Sequence, residues 1–214
     1  MRWEEQFMEG KIIPLATHDI KNAGGVLGQA FQSDPVMLMI FAESRNQERV
    51  QHLTNFFANN LFTCFRKGSP LVVKDGGRIL AALSVYPPGA YPIPLTEQMK
   101  MLLKTVFKSN VIRRQTWSAL YRAIRLMDEM LRIHPQDPHY YLEFIGVEPD
   151  FQGKGTGSMI VESIIQKADE KRVGCYLETA QPRNLPLYKR FGYKLIDEKV
   201  ILGVPLWFMW RNPE

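Results

Sequence analysis

The sequence predicts a single mixed α/β domain, and three observations carry that prediction. First, the chain has 214 residues, 45% hydrophobic and 23% charged, which suits one domain, or one domain with a large insertion, around a sizeable core. Second, its last third runs strand, glycine loop, helix, strand, the signature of a βαβ unit with two parallel strands. Third, the other β-rich runs look like hairpins. The sheet is therefore expected to be mixed and mostly antiparallel, with about seven strands and flanking helices.

The first strand is KIIPLA, residues 11–16. Residues 18–31 follow as a helix, because Ala23, Val26, Leu27, Ala30 and Phe31 recur at helical spacing. A second helix is predicted from about Glu43 to Phe65, with Val50, Leu53, Phe57, Leu61 and Cys64 on one face. PLVVKDGGRILAALSVYPPG reads as a hairpin turning at Asp75-Gly76-Gly77. Residues 88–138 then change character. A proline-rich connector, PPGAYPIP, leads into helical patterns over about 95–108 and 116–133. Trp117, Leu120, Ile124, Met127 and Leu131 predict the packed face of the second. Met99, Met101, Met127 and Met130 either fill the core or line an adaptable apolar pocket.

HYYLEFIGV, residues 139–147, is the next strand. Strict alternation would put His139, Tyr141, Glu143, Ile145 and Val147 on one of its faces. A glycine loop and a helix to about Arg172 follow. GCYLETA is a short strand, NLPLYKRFG a short helix, and YKLIDEKVIL and PLWFMWR are the closing strands.

Composition narrows the function. The net charge is +5, with acidic residues interspersed among basic ones, so the single-sign stripe of a nucleic-acid binder is missing and no nucleic-acid partner is expected. Cys64 and Cys175 lack any CxxC spacing and read as buried free thiols, so no metal site is implied. MRWEEQFMEGK lacks the apolar core of a signal peptide. No apolar run approaches the ~20 residues that span a bilayer. A cytoplasmic protein without a membrane partner is the expectation.

The chemistry is concentrated in Gln152-Gly-Lys-Gly-Thr-Gly157, between a strand and a helix. The first turn of a helix carries unpaired N–H groups and the positive end of a dipole. Gly153, Gly155 and Gly157 let an anion approach the backbone closely, with Lys154, Thr156 and Ser158 as further contacts. The order of a Walker loop is absent, and the third glycine of a Rossmann fingerprint is replaced by Ser158. A glycine-rich helix start without a ligand is the alternative.

The surrounding segments resemble the GNAT acetyltransferase superfamily. Its coenzyme loop, Q/R-x-x-G-x-G/A, is matched by Gln152, Gly155 and Gly157. The strand ending in apolar-x-Val-x-Pro is matched by Ile145, Val147 and Pro149. The later L-Y-x-[KR]-x-G-[FY] segment is matched by Leu187, Tyr188, Arg190, Gly192 and Tyr193. GVEPDFQGKGTGS and LETAQPRNLPLYKRFGY are most similar to the puromycin N-acetyltransferase type, which also has extra helices between strands 3 and 4.

This resemblance implies one GNAT domain over residues 1–214, with a parallel pair that splays apart and the helical insertion at 88–138 shaping the acceptor site. It implies an N-acetyltransferase using acetyl-CoA as acyl donor and a small amine as acceptor, in a monomer or homodimer. It places the pyrophosphate on the amides from Gln152 to Ser158 and the pantetheine beside Ile145, Gly146 and Val147. A backbone N–H near Ile145 would polarise the thioester. Tyr188 would return a proton to the departing thiolate, as a phenol suits that task at neutral pH. The base is not fixed by the resemblance. Glu143 and, more remotely, His139 are candidates; otherwise Glu143 pairs with an arginine and His139 is a capping or surface residue. The family's coenzyme-binding Asn is replaced by Gln181, and either Gln181 or Asn184 is the candidate to take over that contact. No His–carboxylate set surrounds Cys175, which argues for direct attack. A non-catalytic acyl-CoA sensor, or transfer to a protein amine, are the other readings. Tyr86, Tyr91, Phe107, Trp117 and Tyr121 are candidates to line an acceptor pocket.

Overall fold

A computed structural model describes residues 10–42, 44, 46–94, 96–97 and 114–214. The expected helix over about 95–108, with Met99, Met101 and Phe107, lies outside the described residues except at 96–97, which are helical. The strands are β1 (Lys11–Pro14), β2 (Leu71–Asp75), β3 (Arg78–Tyr86), β4 (His139–Val147), β5 (Gly174–Thr179), β6 (Lys194–Ile201) and β7 (Val204–Arg211). The helices are α1 (Ile20–Ala30), α2 (Pro35–Ile40), α3 (Asn46–Lys67), α4 (Arg114–Ile133), α5 (Thr156–Lys171) and α6 (Leu185–Arg190). The seven strands form one sheet in the order β1-β2-β3-β4-β5-β7-β6. β4 and β5 run parallel and the other neighbours antiparallel, which is the mixed sheet the sequence predicts.

Each face of the sheet has its own core. On one, α1 and α3 cover β3 and β4, and Leu27, Leu53, Phe57, Leu61, Tyr141 and Tyr176 are buried there. On the other, α5 lies over β3, β4 and β5, with Leu142, Ile160, Val161, Ile164 and Tyr188 buried. The predicted face of α3 holds, since Leu53, Phe57, Leu61 and Cys64 are all fully buried.

Three features depart from the sequence reading. The helix α2 was not anticipated. Asp34 starts it, its Oδ1 accepting the backbone N–H groups of Val36 (2.9 Å) and Met37 (3.2 Å), with Pro35 in the first turn; this is a standard helix start that a short apolar run conceals. The packed face of α4 is rotated from the one predicted. Trp117, Tyr121 and Ile124 are exposed, while Leu126 is buried and Ala119, Ala123, Met130 and Ile133 pack on the core. Finally, β4 does not alternate along its whole length. Ser84 lies opposite Phe144 and Val85 opposite Leu142, so Glu143 is an extra residue, a bulge. Beyond it Phe144 joins the α1/α3 core, and Ile145 and Val147 turn to the α5 side. Thus His139, Tyr141 and Glu143 share a face, whereas Ile145 and Val147 lie on the opposite one.

The register of α1 on α3 depends on two glycines. A Cβ at Gly24 would lie 2.8 Å from the Ala58 amide nitrogen, and one at Gly28 would lie 2.9 Å from Thr54 Oγ1. Only hydrogen fits at this distance, although glycine weakens a helix by itself. The contact sets the end of α1, where Phe31 packs on Phe57 of α3 with ring centroids 5.0 Å apart, and so fixes Phe31 relative to Asn60 one turn along α3. Gly24→Val should therefore lower stability by about 2 kcal/mol through overpacking, measured by urea denaturation; an unchanged midpoint would mean the helices can part at no cost.

Candidate active site

β4 and β5 pair over three rungs only, ending at Tyr141 opposite Tyr176. Past that rung β4 runs on to Val147 and β5 to Thr179 without a shared ladder. The parting coincides with the bulge at Glu143, and bulges bend a strand and increase its twist. A cavity of about 770 Å³ occupies the gap. Its lining comes from both cores: Phe31, Phe56, Met37 and Leu126 from the α1/α3 side, and Ile145, Val147, Val161 and Tyr188 from the α5 side. The cavity therefore passes through the sheet.

On the α5 side the cavity meets the glycine loop. Gly153 and Gly155 have φ of 75° and 87°, a region that side chains disfavour. Gly155 occupies the cap position of α5 and supplies no capping side chain, so the first N–H groups of the helix lack the partner that Ser or Asp would give. Gln152 folds its amide back to donate to the Val147 carbonyl at 3.0 Å, tying the loop to the end of β4. Gln152, Gly153, Gly155, Gly157 and Ser158 all line the cavity, as do Arg183 and Arg190. Lys154 and Thr156 do not line it: Thr156 is buried in the helix start, and the Lys154 ammonium lies 4.9 Å over the Phe151 ring.

On the other side stand two carboxylates. Glu143 Oε2 accepts from Ser84 Oγ at 2.7 Å and from Asn60 Nδ2 at 3.0 Å. Burial raises its pKa to about 6, against the lowering effect of those two donors. The pairing with an arginine considered above is not what holds it. Glu178 lines the cavity too, and burial, with the nearby Glu143 charge as a smaller cause, lifts its pKa to about 8. Tyr188 is buried on the α5 side, its pKa pushed up to about 12 by burial, so it keeps its proton at neutral pH.

His139 is not brought to the cavity lining. Its Nε2 lies 3.1 Å from His134 Nε2, its Nδ1 lies 2.6 Å from the Asp137 carbonyl oxygen, and Tyr176 and Trp210 enclose the ring. Burial lowers its pKa. Gln181 and Asn184 both line the cavity. The Gln181 amide donates to the Ser33 carbonyl at 3.3 Å, while Asn184 precedes α6 without capping it. Of the aromatics proposed for the acceptor end, Tyr91 lines the cavity, Tyr86 is buried in the core, and Trp117 and Tyr121 face solvent at 61% and 60% exposure. Met127 and Met130 both line it. Cys64 and Cys175 are buried free thiols with pKa values raised by burial to about 12 and about 11. No described helix is long and apolar enough to cross a membrane.

A family model described as the acetyltransferase (GNAT) family matches residues 37–193, well over half of the chain. The chain belongs to the GNAT acetyltransferase family. An uncharacterized N-acetyltransferase of Schizosaccharomyces pombe is 26% identical over 217 residues, which span 92% of this chain and 81% of the relative. Among solved structures, histone acetyltransferase HPA2 and related acetyltransferase from Corynebacterium glutamicum aligns over 97% of this chain and 98% of its own, at 21% identity and a TM-score of 0.69. The PaiA N-acetyltransferase of Thermoplasma acidophilum, solved in complex with coenzyme A, aligns over 96% and 99% at 9% identity and a TM-score of 0.57. At such identities the two structures show the fold.

Glu178, Asn60 and Arg183 were not singled out from the sequence, although Glu178 and Arg183 lie within LETAQPRNLPLYKRFGY. A signal for Glu178 was nevertheless present. The two parallel strands share the tripeptide Tyr-Leu-Glu, at Tyr141-Leu142-Glu143 and Tyr176-Leu177-Glu178, and the tyrosines face each other on the last rung.

Raised carboxylate pKa values have a stability consequence of definite sign. The folded protein holds the Glu178 proton up to about pH 8, while the unfolded chain releases it near 4.5. Stability therefore falls as pH rises through that window, and Glu143 adds to the fall between 4.5 and about 6. Glu178→Gln should gain thermal stability relative to the parent protein as pH goes from about 5 to about 8.5, as followed by scanning calorimetry; a difference that does not change with pH would contradict the burial of this carboxyl.

Proposed function

We propose that the protein moves an acetyl group from acetyl-CoA to the nitrogen of a small amine by direct attack through a tetrahedral intermediate. The observation that carries this is the cavity through the sheet, with the helix-start amides on one side and the Glu143 and Glu178 carboxyl groups on the other. An anionic donor and a cationic acceptor can then enter from opposite faces and meet in the gap.

On the α5 side, the amides from Gln152 to Ser158 hold the pyrophosphate of coenzyme A, as an uncapped helix start holds any phosphate. Arg183, Arg190 and the more distant Lys154 add positive potential at the mouth. The β5-facing edge of β4 from Leu142 to Val147 has no ladder partner, so the amide-bearing pantetheine chain lies there beside Ile145, Gly146 and Val147 as a strand would. A main-chain N–H at Ile145 polarises the thioester oxygen, and one such donor contributes about 3–4 kcal/mol to catalysis. Asn184 is the side chain placed to bond the coenzyme, since the Gln181 amide already donates to Ser33.

On the other side, Glu143 removes a proton from the entering ammonium, and a pKa of about 6 leaves it ionised at neutral pH. The free amine attacks the thioester carbon, and the intermediate collapses as Tyr188 protonates the departing sulfur. The second nitrogen proton leaves through water, which returns a proton to Tyr188. His139, set away from the lining, has no part in this scheme. With both thiols buried and protonated, a cysteine-linked acyl intermediate is not invoked. The likeness to the puromycin N-acetyltransferase type lies in segments on the coenzyme side, so it leaves the acceptor open.

Acetyl-CoA with a panel of amines should release free thiol. kcat/KM should rise with pH through an apparent pKa of about 6, and this limb should vanish in Glu143→Gln. Tyr188→Phe should slow turnover about 100-fold, within the usual range for loss of a general acid. Full activity in Tyr188→Phe would remove the acid assignment. Tight acetyl-CoA binding with no acceptor turned over would favour a sensor on the same scaffold.

A further inference from the structure

Resting on that reading, we infer that the acceptor is a monoamine with an apolar body, and that Glu143 and Glu178 together form the seat of its single ammonium group. Each carboxylate stands two residues past the last β4–β5 rung, Tyr141 opposite Tyr176. Both belong to the α1/α3 face: Glu143 bonds Asn60 and Ser84, and Glu178 follows Tyr176 of that core by strand alternation. Both line the cavity. With Glu143 the more acidic and Glu178 mostly protonated, the pair carries one negative charge at neutral pH, which one ammonium balances.

The surroundings of the pair point to a cation as well. Asn60 is 1% exposed and donates Nδ2 to Glu143, yet its Oδ1 has no partner among the described residues. The carboxylate requires the donor end of the amide, so this acceptor is left for an N–H group arriving beside Glu143. Phe31, Phe56, Phe144, Tyr91 and Tyr141 also line the cavity, and aromatic faces attract a desolvated ammonium.

Away from the pair the wall is formed by α2 and α4 through Val36, Met37, Ile40, Leu126, Met127 and Met130. The remaining carboxylate among the described lining residues, Asp34, already accepts two backbone N–H groups at the start of α2. Arg183 lies within coulombic reach of Asp34 and offsets its charge. Among the described residues, a second ammonium at the α2/α4 wall would thus be buried against apolar side chains without a free counter-charge, which is costly. An alkyl or arylalkyl chain would instead bury its surface there.

The test compares hexylamine with 1,6-diaminohexane, which match in length and differ in charge. Thiol release with acetyl-CoA gives kcat/KM, and calorimetry on the protein loaded with CoA gives binding in the absence of turnover. The monoamine should be favoured tenfold or more in both, and Met127→Glu should narrow or reverse the ratio. A diamine that performs as well as the monoamine in the parent protein overturns the inference but leaves acetyl transfer standing. Selective monoamine binding without turnover supports the inference and removes the transferase reading. Failure of the CoA-loaded protein to bind either amine overturns the inference as well.

Discussion

The structure turns on one event in the backbone: β4 gains a residue at Glu143 and leaves β5. Before that point Tyr141 and Tyr176 close the last rung of a parallel ladder. After it, β4 keeps its bonds to β3, with Ile145 opposite Leu83 and Val147 opposite Ala81, but it no longer pairs with β5. An unpaired strand edge inside a protein is normally a fault, since its amide groups lose water without gaining partners. Here the exposed edge borders a cavity that a substrate with peptide-like amides can fill. The bulge also reverses which side chains face which layer, so Glu143 faces α3 while Ile145 faces α5.

That gap separates charge. The α5 side offers helix-start amides, and the other side offers Glu143 and Glu178 amid aromatic rings, with Asp34 and Arg183 close to each other at the start of α2. Each arrangement opposes the stability of the empty protein. Gly153 and Gly155 are flexible in the unfolded chain, and the helix start they lead into is uncapped. Glu143 and Glu178 are held where their charged forms are disfavoured, and Asn60 keeps an acceptor unmet among the described residues. Such costs are characteristic of sites that bind what the protein itself does not contain.

Much of this was legible in the sequence. The order of the strands, the hairpin at Asp75-Gly76-Gly77, the helix after the glycine loop and the buried face of α3 follow from periodicity and turn chemistry. The residues of the glycine-loop side share short local motifs, which a single sequence displays directly. The α1/α3 side of the cavity was legible only in part, because it is assembled from α2, α3, α4 and β5, whose residues are distant in sequence. A bulge leaves no mark on an alternating pattern, so Tyr141, Glu143, Ile145 and Val147 read as one face. The rotation of α4 was hidden by its composition: Trp117, Tyr121 and Ile124 form a line as apolar as the one that packs. His139 read as a remote base or as a capping or surface residue after the Gln136-Asp137-Pro138 turn, but it pairs with His134, which no local spacing indicates.

The costs of the site require a rigid frame, and the frame lies at a distance from it. Arg211, at the end of β7 and only 5% exposed, donates through Nη1 and Nη2 to Asp169 of α5 at 2.7 and 3.0 Å, and through Nε to the Phe191 carbonyl at 3.1 Å. One guanidinium thus joins the C-terminal strand, the helix whose start faces the cavity and the turn after the helix that carries Tyr188. A bidentate pair of this kind fixes orientation as well as distance. On the opposite layer the glycine contact of α1 with α3 does the same for Phe31 and Asn60. The two halves of the site are therefore anchored independently, one on each face of the sheet. The gap between them can stay open because neither half needs the other to hold its shape.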